Sequence, residues 1–289
     1  MRNKLFNQLY PFVFFPVYLI SLLPYSIAAP TIGKFLYFIS YRVFRYRYSV
    51  VLQNLSRSLP AKSYQEIRQI AKEFYKHLVC MAIETIKLFS VSRYTLDKKV
   101  QLVNAELLFT YHQQNRNIIA VLGHYGNWEY LNILPVQLPF TVNAIYKPLS
   151  NPLMNKLVHH VRGRFGMLLI PANQALRHIL KQKDKPQLSI FIADQFPGSC
   201  EQEKFDFLHQ STNMFNGAEK LAIATNAVVV YLEMKRKPDH CWEISFSLIT
   251  ESPKETSNQE ITRCFASQLQ QTIRTAPSYW LWSHKRWKY

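Results

Sequence analysis

The chain has 289 residues, a formal net charge of +17, an isoelectric point near 9.7, 48% hydrophobic residues and only 7 glycines. That balance supplies a sizeable core and excludes a disordered, fibrous or collagen-like chain. The positive excess points to an acidic partner, either an anionic lipid surface or an acidic protein. No zinc-finger spacing, basic region leading into heptads or aromatic ribonucleoprotein motif supports nucleic acid. A generally basic, solvated surface is the alternative.

In chain order, Arg2 and Lys4 precede an uncharged stretch from Leu5 to Gly33. It is long enough to span a bilayer. It is too long, and lacks the clean small-residue cleavage site, of a signal peptide. Pro11, Pro16, Pro24 and Pro30 interrupt it. A kinked, re-entrant or interfacial anchor therefore stands beside a full span, with a buried helical pair as the alternative to either. Lys34, Arg42, Arg45 and Arg47 lie on its far side and favour a cytoplasmic catalytic domain. The run Tyr41–Val50 mixes Arg with Tyr and suits either anionic headgroups or an ordinary helix with a basic face. Residues 1–45 are thus expected to form an anchor with a basic juxtamembrane segment, and residues 46–289 the catalytic domain. The four cysteines, Cys80, Cys200, Cys241 and Cys264, are far apart, so neither a disulfide framework nor a zinc site is expected.

Residues 63–90 read as a helix opened by a Ser63/Glu66 capping box, with a core-facing stripe through Ile67, Ile70, Phe74 and Leu78. The stretch 117–131, NIIAVLGHYGNWEYL, then organises the chain. Ile118–Leu122 is a short apolar run expected as a strand buried on both faces. Gly123 and Gly126 break it, Asn127 is a good N-cap, and a helix can follow from Trp128. In one uninterrupted helix His124 and Glu129 would point ~140° apart. A turn allows the carboxylate to fold back toward the imidazole. That arrangement suits general-base chemistry: a neutral imidazole takes a proton from a hydroxyl, and a carboxylate on its other nitrogen fixes the tautomer. The turn holds no Ser or Cys nucleophile, so direct transfer to an acceptor hydroxyl fits better than an acyl-enzyme. The alternative is a loop histidine and a solvated glutamate.

Farther on, 140–146 reads as a strand, Lys147-Pro148 as a turn, and Leu153 to Arg162 as a helix. Arg162 and Arg164 at its end suit a phosphate clamp or oxyanion, or merely complement the helix C-terminus. A buried-strand run at 188–193 ends at Asp194-Gln195, the strand-end position where open α/β sheets place their sites, although a strand-end Asp also often caps a loop. A helix at 215–226, strands at 227–234 and 242–249 and a helix at 258–275 follow. Strands alternating with helices indicate an α/β layered sheet.

Four motifs, LGHYGNWE, IYKPLSNPL followed by RGR, FIADQ and the terminal APSYWLWSHKRWK, together resemble the late acyltransferases of lipid A biosynthesis over nearly the whole chain. The resemblance implies an α/β fold with a central mixed sheet and helices on both faces, of the glycerolipid acyltransferase type, behind an N-terminal membrane-anchoring helical segment. It implies a bacterial inner-membrane enzyme, its catalytic domain facing the cytoplasm. That enzyme would move a fatty acyl chain from an acyl carrier protein thioester to a hydroxyl of a phosphorylated lipid acceptor of the lipid IVA type, without metal or other cofactor. Carried over, His124 is the base, Glu129 its partner and Arg162 the catalytic arginine. Arg164, Asp194, Gln195, Asn127 and Lys147 are the expected substrate-binding residues. GHYGNWE also occurs in relatives that acylate other lipids, so a lysophospholipid or amino-acid-containing lipid remains the alternative acceptor. A silent basic scaffold would not need the His124/Glu129 pair, and a hydrolase would be expected to carry a G-x-S-x-G elbow, which is absent.

Overall fold

The computed structural model describes residues 2–182, 185–197 and 204–287. Cys200 and the end of the FPGS loop lie outside them.

A seven-stranded sheet forms the centre. Its strands are β1 (Val100–Val103), β2 (Ile118–Leu122), β3 (Val142–Tyr146), β4 (Leu168–Pro171), β5 (Leu188–Ile192), β8 (Val228–Lys237) and β9 (Cys241–Thr250), in the order β1-β9-β8-β2-β5-β3-β4. β6 (Phe205–Phe207) and β7 (Gln210–Thr212) form a separate antiparallel pair. All pairings in the main sheet are parallel except β8 with β9, so the sheet is mixed, as expected.

β2 is central because every one of its five side chains can be buried. Ile119 and Val121 face one core, with the helices Tyr64–Lys87, Gly217–Thr225 and Glu260–Thr275. Ile118, Ala120 and Leu122 face the other, with Leu131, Leu134, Leu157 and Val161. Helices cover both faces, and the alternation of strand side chains assigns each residue to its layer.

The helix Tyr64–Lys87 opens on the expected capping box: the Ser63 hydroxyl accepts from Glu66 N–H, and the Glu66 carboxylate accepts from Ser63 N–H at 2.8 Å. The segment after the central turn departs from expectation. It is a 3₁₀ helix over Trp128–Ile133, continuing as one α-turn over Leu134–Gln137. Its tighter winding suits a segment held close to the sheet end by the Asn127 cap.

The N-terminal helix Arg2–Leu22 is followed, after a break at Leu23 and Pro24, by a second limb through Val43 that contains two π-helical stretches, Ala29–Gly33 and Phe38–Val43. Among the described residues no single helix is long and apolar enough to cross a membrane. The pair Tyr10–Leu22 and Tyr25–Val43 passes that test together but is bent by 102°.

Candidate active site

The strand register builds the site. β2 and β5 lie side by side, with Leu122 opposite Ile192. His124 and Asp194 each sit two residues beyond that pair, at the carboxyl ends of parallel strands. Ala193 N–H donates to the Leu122 carbonyl at 2.9 Å and carries the pairing one step past the sheet. His124 Nδ1 lies 2.5 Å from Asp194 Oδ1, and the His124 backbone N–H donates to Asp194 Oδ2 at 2.8 Å.

The turn that permits this depends on two glycines. A Cβ on Gly123 would come within 2.6 Å of Leu269 and 3.2 Å of Asp194 Oδ2. Gly126 has φ of +68°, and a Cβ there would lie 2.7 Å from the Trp242 ring. Both the backbone conformation and the space therefore demand glycine.

The carboxylate on the imidazole is Asp194, not Glu129. This corrects the expected His124–Glu129 pairing. Glu129 faces Arg162 instead: Arg162 Nε donates to Oε2 at 2.9 Å and a terminal nitrogen to Oε1 at 2.6 Å, a two-point bond. The Trp128 indole N–H also donates to Glu129 Oε1, at 3.1 Å, and the Trp128 ring meets the His124 ring edge-on with centroids 4.9 Å apart. The physical reason is register. Asp194 is delivered by the neighbouring strand, while Glu129 is carried along the 3₁₀ helix to the end of the helix Pro152–Gly163. There the Asn132 amide donates to the Val161 carbonyl at 3.0 Å and holds the two segments together.

Burial alone would push the Asp194 carboxyl up. The His124 ring, the two bonds from His124 and the Trp280 indole outweigh it and hold the carboxyl below its ordinary value. Burial likewise opposes the charge on Arg162, but the adjacent Glu129 carboxylate raises its pKa. With Nδ1 bonded to Asp194, Nε2 is the ring nitrogen left for other partners. The Gln195 amide lies 3.3 Å from it, and the His124 side chain keeps 17% of its surface exposed.

The remaining expected site residues separate. Gln195 is in the site. Lys147, at the end of β3, is exposed. Arg164 turns away: one terminal nitrogen donates to the carbonyls of Leu88 and Val91, at 2.6 and 2.7 Å, where the helix Tyr64–Lys87 ends. It therefore serves the end of a different helix from its own, which neither expected role named. Asn127 is fully buried. Its oxygen caps Glu129 N–H at 3.2 Å and its nitrogen donates to Glu84 at 2.8 Å, so it shapes the turn and presents no free group to a substrate.

Two contributors were missed from the sequence. Trp280 donates its indole N–H to Asp194 Oδ2 at 2.7 Å, and its segment pairs with the turn through Leu281 N–H to the His124 carbonyl and Gly126 N–H to the Tyr279 carbonyl. Glu84, buried in the stripe of the long helix, bonds Arg236 at 2.8 Å as well as Asn127. Its signal was a carboxylate placed one helical turn from Cys80 and Leu88, on a face otherwise buried.

The sequence profile of the family described as "Bacterial lipid A biosynthesis acyltransferase" matches residues 6–289. The chain belongs to this family. It is an acyltransferase of lipid A and related lipid biosynthesis. It is 24% identical to a lipid A biosynthesis palmitoleoyltransferase of Escherichia coli (strain K12) over 84% of this chain and 79% of the relative. It is 19% identical to a lipid A biosynthesis acyltransferase of Haemophilus influenzae over 91% of this chain and 82% of that one. It is also 25% identical to a phosphatidylinositol mannoside acyltransferase of Mycolicibacterium smegmatis over 71% and 67%.

In this acyltransferase a cavity of about 40 Å³ is lined by the Glu129–Arg162 pair together with Trp128, Ile145, Met167 and Ile192. Ligand pockets usually exceed ~300 Å³, so an acyl chain entering here must displace those apolar side chains. One other cluster, Cys80, Glu84 and His240, brings three potential metal-ligand atoms within 4.8 Å of one another. Arg236 bonds both Glu84 and His240 there, placing a fixed positive charge where a cation would sit.

Proposed function

We propose that the enzyme transfers a fatty acyl chain from an acyl carrier protein thioester to a hydroxyl of a phosphorylated, lipid A-type acceptor at the cytoplasmic face of a bacterial inner membrane. Residues 1–45 would hold it at the bilayer and residues 46–289 carry the chemistry. The observation that carries this is an imidazole locked by a buried carboxylate at Nδ1, its Nε2 met by the Gln195 amide at 3.3 Å, a contact that an acceptor hydroxyl would replace. His124 Nε2 takes the acceptor hydroxyl proton as the oxygen attacks the thioester carbonyl carbon. Asp194 offsets the imidazolium that forms. As the C–S bond breaks, His124 returns the proton to the leaving thiolate. Arg162 uses only part of its fork on Glu129, and its remaining N–H groups supply positive charge for the oxyanion or a substrate phosphate. The donor is already activated, so positioning, a base and charge stabilisation suffice. The +17 charge complements an acidic carrier protein, a phosphorylated lipid and an anionic bilayer together.

The test is acyl transfer by the purified full chain, with acyl carrier proteins bearing chains of different length and lipid acceptors offered singly, read by mass spectrometry. Ester formation on a lipid A precursor supports the reading. Transfer only to a phosphatidylinositol mannoside would favour a second acceptor class, which the mycobacterial relative makes a specific alternative.

A further inference from the structure

We propose that the two N-terminal limbs lie within one leaflet of an anionic bilayer as an in-plane anchor and do not cross it. This deepens the membrane association in the proposed function and is independent of the chemistry.

Both limbs are attached to the rest of the fold at several points along their length. From Tyr10 to Ser21, a length of ~16 Å, the first limb is fastened to the catalytic body. Phe14 packs against the Phe89 and His160 rings at 5.8 and 4.9 Å. Lys156 sits 4.2 Å over the Tyr10 ring. At the other end Lys87 and Ser90 both donate to the Ser21 carbonyl. A helix tied down along that length cannot run into hydrocarbon unless the charged body goes with it. The second limb is tied as firmly: the Tyr25 hydroxyl lies 2.9 Å from Cys80 Sγ, and the Tyr41 ring lies 5.2 Å from that of Tyr75.

The outward faces of both limbs are apolar, with basic residues on the second. Phe12, Phe15, Leu19 and Leu22 form one exposed stripe at helical spacing, and Phe12 keeps 76% of its surface. On the second limb and just past its end, Phe35, Phe38 and Phe44 are exposed, from 55% to 75%. Lys34, Arg42 and Arg45 are interspersed with them and also exposed. Apolar rings beside cations match an acyl–headgroup boundary carrying negative charge, and several bare aromatics on one segment mark an interaction surface. The 102° bend then lets both limbs lie along one surface, whereas a span would need them nearly collinear.

The experiment uses the full chain with Cys200, Cys241 and Cys264 replaced by alanine and Cys80 by serine, which keeps a hydrogen-bonding partner for Tyr25, and one cysteine introduced at a time, Phe15→Cys or Phe38→Cys, carrying an environment-sensitive fluorophore. Vesicles of phosphatidylethanolamine and phosphatidylglycerol, with spin-labelled lipids quenching at known depths, report where each site lies. Both sites are expected at one shallow depth, ~5–10 Å below the headgroups. Phe15→Glu combined with Phe38→Glu is expected to weaken vesicle binding at least about tenfold while leaving the melting temperature unchanged, since both side chains are exposed. A probe near the bilayer centre or the far leaflet overturns the proposal. So does a charged double variant that binds vesicles normally, or burial of these sites against a second copy of the chain in place of lipid. None of these readouts measures acyl transfer, so failure here leaves the proposed reaction standing.

Discussion

Trp280 donates its indole N–H to Oδ2 of Asp194 at 2.7 Å, to the same oxygen that receives the His124 backbone N–H. The second oxygen is thereby left for the imidazole, so the terminal segment helps to orient the His124 ring. Trp280→Phe keeps the aromatic packing and removes this donor. A hydrogen bond to a charged group contributes ~1.5–3 kcal/mol, so kcat is expected to fall at least about tenfold with the fold retained. Steady-state kinetics and a melting curve check this. Unchanged kcat would make Trp280 a packing residue only.

The turn from Gly123 to Asn127 should tolerate no side chain at Gly126. Gly126→Ala places a Cβ 2.7 Å from the Trp242 ring at φ of +68°. Strain of this kind costs ~1–3 kcal/mol, and thermal denaturation should show a lowered midpoint together with lost activity. Gly163→Ala is the control. A Cβ there meets nothing within 4 Å, so stability should hold or rise slightly.

Glu129 and Arg162 form one two-point pair, so their substitutions should not add. Glu129→Gln and Arg162→Gln are each expected to lower kcat/KM, and the double variant should be little worse than Arg162→Gln alone. Measured kcat/KM values for the four proteins decide this. Fully additive losses would separate the two residues.

His77 links stability to pH. Burial lowers its pKa, the Arg236 charge lowers it further, and its bond to the Gly126 backbone raises it in part. The result is about 3 against the ordinary 6.5. The folded protein therefore resists a proton that the unfolded chain accepts. The contribution is complete above pH 6.5 and declines as pH falls from 6.5 toward 3. The depressed Asp194 adds a loss only below its unfolded value of ~3.9. His77→Gln keeps a donor for Gly126 and removes the titration. The difference in melting temperature between wild type and variant should shrink steadily as pH drops through that window, and a flat difference would refute the assignment.

Much of the frame could be read from local pattern. Ile118–Leu122 announced a two-sided strand by its unbroken β-branched run, and Ser63 with Glu66 announced the long helix. His124 was legible because two glycines isolate it after that strand. Its partner was not, because a carboxylate five residues away competes with one seventy residues away and only the β2–β5 register decides between them. Arg164 failed for a similar reason: its partners are backbone carbonyls at Leu88 and Val91, which carry no sequence signature. Trp280 lay in a conspicuous aromatic tail, yet nothing local to that tail indicates that it returns to the end of β2.

Asp194, and not Glu129, is the carboxylate bonded to the His124 imidazole. The most direct measurement is kcat for Asp194→Asn in the wild-type and His124→Ala backgrounds, with Glu129→Gln carried in parallel. Removing a base typically costs ~10²–10⁴-fold. Asp194→Asn alone is expected to approach the His124→Ala loss and to add nothing to it, while Glu129→Gln lowers activity further in both backgrounds. Near-normal turnover in Asp194→Asn, or a Glu129→Gln loss that vanishes once His124 is gone, would contradict the account and return Glu129 to the imidazole.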